Sequence, residues 1–167
     1  LVPALGMNTW AGEREHGTEE LLLTMPVSIF DAIVGKFLAI VAFFSVALLF
    51  NLCHVAFLAF LGDPDWGMIL GNMLGWWFTG LAFAALALAA STMVASAAIA
   101  WVLGLLFCAS FGAISFFIMR WTADFDRGVL NLGGIIWALC VAGIGLALAM
   151  LRLEARRWNL ATGGRTT

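Results

Sequence analysis

The sequence predicts an all-α, polytopic membrane bundle, and three observations carry that expectation. The chain is 63% hydrophobic and 11% charged, with a mean hydropathy of +1.04. A soluble domain carries about 25% charged residues, so there is too little polar surface here to cover a globule in water. Four stretches are long and apolar enough to cross a bilayer, which takes roughly 20 residues each. Charges and turn residues gather between these stretches instead of scattering through them. The net charge of −2 excludes little, because in a membrane chain position outweighs the sum. No basic stripe with interleaved aromatics is present, which argues against nucleic-acid binding.

The chain opens on Leu1-Val2-Pro3-Ala4-Leu5-Gly6-Met7, which reads as the tail of an apolar helix. It lacks the basic start, apolar core and small-residue cleavage site of a signal peptide. The expectation is a fragment of a longer membrane protein, with residues 1–9 ending a further span.

A charged island follows, from Glu13 through Ser28. Charge cannot rest in hydrocarbon, so this segment belongs in water at one bilayer face. Thr18 is placed to cap a helix, with Glu19 and Glu20 in the first turn, where acidic groups complement the helix dipole. Leu21, Leu22, Leu23 and Met25 give that helix an apolar surface. Pro26 ends it, because the residue before proline disfavours helical geometry. Ser28 and Asp31 have capping-box spacing and start the next helix, which runs through Gly35-Lys36 into the first full span. The island thus reads as a short amphipathic helix lying along the membrane and hinged at Pro26. Two uses fit it: anchoring a loop, or docking a cytoplasmic partner and passing its motion to the attached span.

The spans are expected at 35–61, 68–90, 96–119 and 134–153. Gly62-Asp63-Pro64-Asp65-Trp66-Gly67 makes the first break, with Pro and Gly setting the backbone and two Asp in water. Ser91-Thr92-Met93-Val94-Ala95-Ser96 is an uncharged, weaker break. Arg120 to Gly134 is a loop holding Asp124, Asp126 and Arg127, with Trp121 and Phe125 at headgroup level. Gly71 and Gly75 form a GxxxG pair, read as helix packing.

Arg14, Lys36, Arg152, Arg156, Arg157 and Arg165 fall on one face, against only Arg120 and Arg127 on the other. The positive-inside rule places the island and the C-terminal tail in the cytoplasm, with Trp10, Trp66, Trp121 and Trp158 near interfaces. Cys53, Cys108 and Cys140 sit singly in apolar runs, so neither disulfides nor metal sites are expected. Asn51, His54 and Asn72 are polar groups inside spans, and such groups are functional candidates by default. The structural alternative, bonding between helices, is the simpler role for them. No second catalytic group accompanies His54, and no nucleophile–base pair stands out, so no catalytic site is expected. Gly35-Lys36 is no phosphate loop, since Phe37 stands where Ser or Thr is needed; no cofactor is expected.

Glu13-Arg14-Glu15, then Gly17-Thr18-Glu19-Glu20-Leu21-Leu22-Leu23-Thr24-Met25-Pro26-Val27-Ser28, then Gly35-Lys36-Phe37-Leu38-Ala39 resemble the signature of ABC-2-type transporter permeases. The gliding-motility and copper-enzyme-maturation branch is the nearest in pattern, and the ending Leu153-Glu154-Ala155-Arg156-Arg157-Trp158 is similar to one common there. The resemblance implies a six-span family, of which this chain would hold one permease domain, 1–167, without the first span and most of the second. It implies a cytoplasmic coupling segment at 10–31 and a multi-pass protein of the inner (cytoplasmic) membrane. Its partners would be an ABC ATPase subunit, which carries the ATP hydrolysis, a second permease subunit in a homo- or heterodimer, and the lipid bilayer. Export is the commoner direction. Leu21, Leu22 and Leu23 would fill a groove on the ATPase. Glu13, Arg14, Glu15, Gly17, Thr18, Glu19, Glu20, Pro26 and Val27 would complete the docking segment. A structural multi-span protein with a surface-anchoring helix is the alternative.

Overall fold

A computed structural model describes residues 1–19, 28–62, 64–115 and 131–163. Among them, six helices appear in order: α1 (Val2–Met7), α2 (Ala11–Glu15), α3 (Ile29–Leu61), α4 (Trp66–Met93), α5 (Ala97–Ile114) and α6 (Leu132–Gly163). The last four are each long and apolar enough to cross a membrane. The polytopic helical bundle is therefore as expected, with some boundaries moved.

Each start has a local cause. Ser28 is extended and its hydroxyl accepts from the Asp31 N–H at 3.1 Å, so α3 begins at the expected cap and runs without a break through Gly35-Lys36 into the span. Asp65 caps α4 by accepting from the Gly67 and Met68 N–H groups at 3.0 and 3.2 Å. α6 runs past 153 to Gly163.

The weak break moved most. α4 does not stop at 90; it continues to Met93, and the turn is Val94-Ala95-Ser96. The Thr92 hydroxyl donates to its own helix at the Ala89 carbonyl, 2.7 Å away, and so is satisfied without leaving the helix. The expected end of the third span near 119, and the loop with Trp121, Asp124, Phe125, Asp126 and Arg127, lie outside the described residues.

α4 is the axis of the bundle. It packs against α1, α3, α5 and α6, and its second half, from Ala82 to Thr92, is almost wholly buried. Small residues allow this. A Cβ on Gly145 of α6 would come within 3.0 Å of Ala85, and one on Gly6 of α1 within 2.6 Å of the Ala87 Cβ. Lipid offers no hydrophobic drive for helix association, so close backbone approach supplies the contact instead. Gly71 and Gly75 are both buried in α4. A second cluster stacks Phe111 on Trp137, centroids 6.4 Å apart, with Phe83 edge-on to Phe111.

α3 behaves differently. Only Ile33, Ile40 and Val55 are buried along its 33 residues. Phe43, Phe50, Phe57 and Phe60 point outward, as suits a helix whose solvent is hydrocarbon.

Candidate functional site

At one end of the bundle α2 closes over the ends of the spans, and α1 leads into it alongside α4 and α5. Ser91 of α4 pins it. Its hydroxyl accepts from the Trp10 and Ala11 N–H groups at 3.0 and 2.9 Å and donates to the Met7 carbonyl at 3.1 Å. These are backbone groups freed where α1 stops and α2 starts, and such groups need partners when buried.

Four island residues then reach four different spans. Glu13 pairs with Lys36 of α3, Oε2 to Nζ 2.7 Å. Lys36 also donates to the Thr9 carbonyl and lies 3.7 Å over the Trp10 ring, a cation–π contact. Arg14 donates to the Val94 carbonyl at 2.7 Å and the Thr92 carbonyl at 3.3 Å, at the C-terminal end of α4. Glu15 accepts from the Ala97 N–H at 3.2 Å, at the N-terminal end of α5. Adjacent opposite charges thus meet the opposite dipole ends of consecutive helices, cation on carbonyls and anion on an N–H. The α4–α5 turn, which has no side-chain cap of its own at Ser96, is held from outside.

Glu19 completes the hub. It binds Arg14 through both oxygens, at 2.6 and 2.8 Å, and Arg156 of α6 at 3.3 Å. The side chain is buried. The Arg14 hydrogen bonds, aided by the charges of Arg14, Arg156 and Lys36, hold its carboxyl below the ordinary 4.5 against the opposing effect of burial. Gly17 turns the chain between α2 and Glu19 with φ of +71°, a backbone region that glycine enters without strain. The Thr18 hydroxyl donates to the Glu13 carbonyl at 3.1 Å, closing the end of α2.

The expected docking residues therefore divide. Glu13, Arg14 and Glu19 turn into the bundle, Glu15 is exposed yet engaged with α5, and Gly17 and Thr18 are exposed. Glu20, Leu21, Leu22, Leu23, Pro26 and Val27 lie outside the described residues. Trp10 is 1% exposed, beneath Lys36. Sequence reasoning read Ser91 only as part of a turn, and gave Lys36 and Arg156 no partner in the island. A lone Lys and a lone Ser inside apolar runs were the available signals.

Toward the other end, Asn51, His54 and Asn72 line one cavity of about 450 Å³ between α3 and α4. Cys53 is exposed and does not line it.

A family model described as ABC-2 family transporter protein matches residues 3–155. The chain belongs to that family. No curated protein and no solved structure matches it. As an ABC-2 family member it is a multi-pass membrane permease component of an ABC transporter, a transport element that works with an ABC ATPase. In this permease the island's charges form the internal joint of the bundle, because every paired carboxylate named above reaches a residue outside its own helix.

Proposed function

We propose that residues 10–31 couple a separate ATPase subunit to the spans of this ABC-2 permease. The observation that carries the reading is the hub: Glu13, Arg14, Glu15 and Glu19 are tied to α3, α4, α5 and α6 respectively. Any force on the chain just beyond Glu19 is applied to all four spans at once. The Arg14–Glu19 pair at the hub's centre is buried, and separating it leaves charges unpaired at a cost of about 3 kcal/mol or more.

In this reading Leu21, Leu22 and Leu23 fill a groove on the ATPase, with Glu20, Pro26 and Val27 around them. Gly17 is the swivel between the docking helix and the hub. The hub faces the cytoplasm and the bundle sits in the inner membrane. The permease works as a pair, with a second copy or a related subunit, above two ATPase subunits, and exports its cargo. Residues 1–9 end a preceding span, and the gliding-motility and copper-enzyme-maturation branch fits the island's spacing best.

The test is Leu22→Asp in the full-length protein, purified in mild detergent. The expected outcome is normal insertion and normal thermal stability with loss of the co-purifying ATPase and of transport. Retained ATPase and full transport would refute the docking role. Replacing Glu13–Glu19 is the wrong test, because those residues hold the bundle together.

A further inference from the structure

α3 and α4 meet at their middles. Ser45 is the seventeenth residue of the 33 in α3, with sixteen on either side. Gly80 is the fifteenth of the 28 in α4. At that level the Phe44 ring lies on Gly80, so closely that a Cβ there would overlap it. Trp77 is three residues before Gly80 and shares its face. Its Nε1 donates to the Ser45 hydroxyl at 3.0 Å, and that hydroxyl donates in turn to the Val41 carbonyl at 2.8 Å. The Trp77–Ser45 bond is, among the described residues, the one that joins two of the four long helices. A flat ring on bare backbone is not a knob locked in a hole, so it bears load and still permits a tilt. The hydrogen bond fixes its height along both helices.

The near arm of α3 belongs to the hub. Lys36 carries the Glu13 pair and the Thr9 carbonyl, and Ile33 and Ile40 share one buried cluster with Val2 and Trp10. Ala84 and Leu88 of α4 and Ala149 and Leu153 of α6 are in the same cluster. This arm therefore moves by sliding across them, and packed helices slide by about 1–2 Å. Each arm of sixteen residues is about 24 Å long at 1.5 Å per residue. A displacement at the hub end then returns at the far end in equal size and opposite sense. α4 is the fixed body, since α1 and α6 approach it at backbone distance, at Gly6–Ala87 and Gly145–Ala85.

We propose that Phe44, Ser45, Trp77 and Gly80 are positioning residues for transport: they form a bearing on which α3 rocks, so that motion of the hub is inverted at the opposite end of the bundle. The inference takes its drive from the coupling reading above and its turning point from the α3–α4 contact alone.

Its test uses the full-length transporter with its ATPase, with Cys53, Cys108 and Cys140 replaced by alanine and spin labels introduced in pairs. Phe30→Cys, Val46→Cys and Phe60→Cys label the hub end, middle and far end of α3. Each distance is read to Leu148→Cys on α6 and, separately, to Leu105→Cys on α5, all at exposed positions. A slowly hydrolysed ATP analogue should shift the two end labels in opposite senses, by about 1–2 Å each, and leave Val46 in place. Ends that move together, a Val46 shift as large as theirs, or no shift with the ATPase bound overturns the proposal. Ser45→Ala, Trp77→Phe and Phe44→Leu together remove the bearing without leaving an unpaired polar group. They should abolish the opposed motion while the ATPase still co-purifies, and opposed motion that survives them also overturns the proposal. Docking is judged apart from this, by whether Leu22→Asp loses the ATPase, so either reading can fail alone.

Discussion

Arg14 and Glu19 are joined by two parallel hydrogen bonds, Nε to Oε2 at 2.6 Å and Nη2 to Oε1 at 2.8 Å. Both side chains are nearly excluded from solvent, at 11% and 8% exposed. Such a fork is among the stronger polar contacts a protein makes. Here it also fixes the guanidinium edge that meets the Thr92 and Val94 carbonyls.

Glu19→Gln keeps the shape and removes the charge, leaving Arg14 and Arg156 without their shared anion. Hydrogen bonds to charged groups are worth about 1.5–3 kcal/mol. The melting temperature in detergent should fall by roughly 4–8 °C, from about 2 kcal/mol at the usual slope for this size. Glu154→Gln, at an exposed position of α6, should leave it within a degree or two. Equal effects from the two would show that the fork does not hold the hub.

The same carboxyl gives a pH dependence of known sign. Its folded value lies below the ordinary 4.5, chiefly through the Arg14 hydrogen bonds. A depressed acid stabilises the fold when ionised, so its contribution is complete above about 4.5 and is lost as pH falls through the folded value. Melting temperatures of wild type and Glu19→Gln should differ at pH 7 and draw together below pH 4.5. A gap that stays constant down to pH 3 would contradict the assignment.

Ser91→Ala leaves the buried Trp10 and Ala11 N–H groups without an acceptor. The expected loss is about 1–3 kcal/mol, with faster amide exchange at residues 10 and 11 measured by mass spectrometry. Unchanged exchange there would mean that α1 and α2 are held by packing alone.

Gly6→Ala places a methyl 2.6 Å from the Ala87 Cβ, and helix backbones in contact cannot absorb that by a side-chain rotation. The substitution should destabilise by about 1–3 kcal/mol, as overpacking does. Ala87→Gly should restore much of the loss in the double variant, a coupling that thermal melts of the four proteins measure. Strict additivity would place the strain elsewhere.

The four spans were legible because each is a continuous apolar run, and a bilayer leaves helices as the economical answer for such runs. Ser28 was legible because a cap acts within three residues. The Ser91–Ser96 boundary was less so, since a serine or threonine hydroxyl serves a turn or a helix equally well. The hub was not legible. Glu13 finds Lys36 and Arg14 finds Val94 across many intervening residues, and only the packing of α1 and α2 under the bundle decides those partners. For the same reason Asn51, His54 and Asn72 could be singled out one by one, while their convergence depended on how α3 and α4 lie against each other.

α3 is 33 residues long, or about 50 Å at 1.5 Å per residue. The hydrocarbon layer is about 30 Å thick, and even a 40° lean, the steep limit for spanning helices, shortens the rod only to about 38 Å. Some of its length must stand clear of the oil, and Lys36 is on its second turn. How far that stub protrudes is set by the acyl chains of the host lipid. Bilayer thickness therefore becomes a dial on the resting posture of the whole assembly, turned without touching a single side chain.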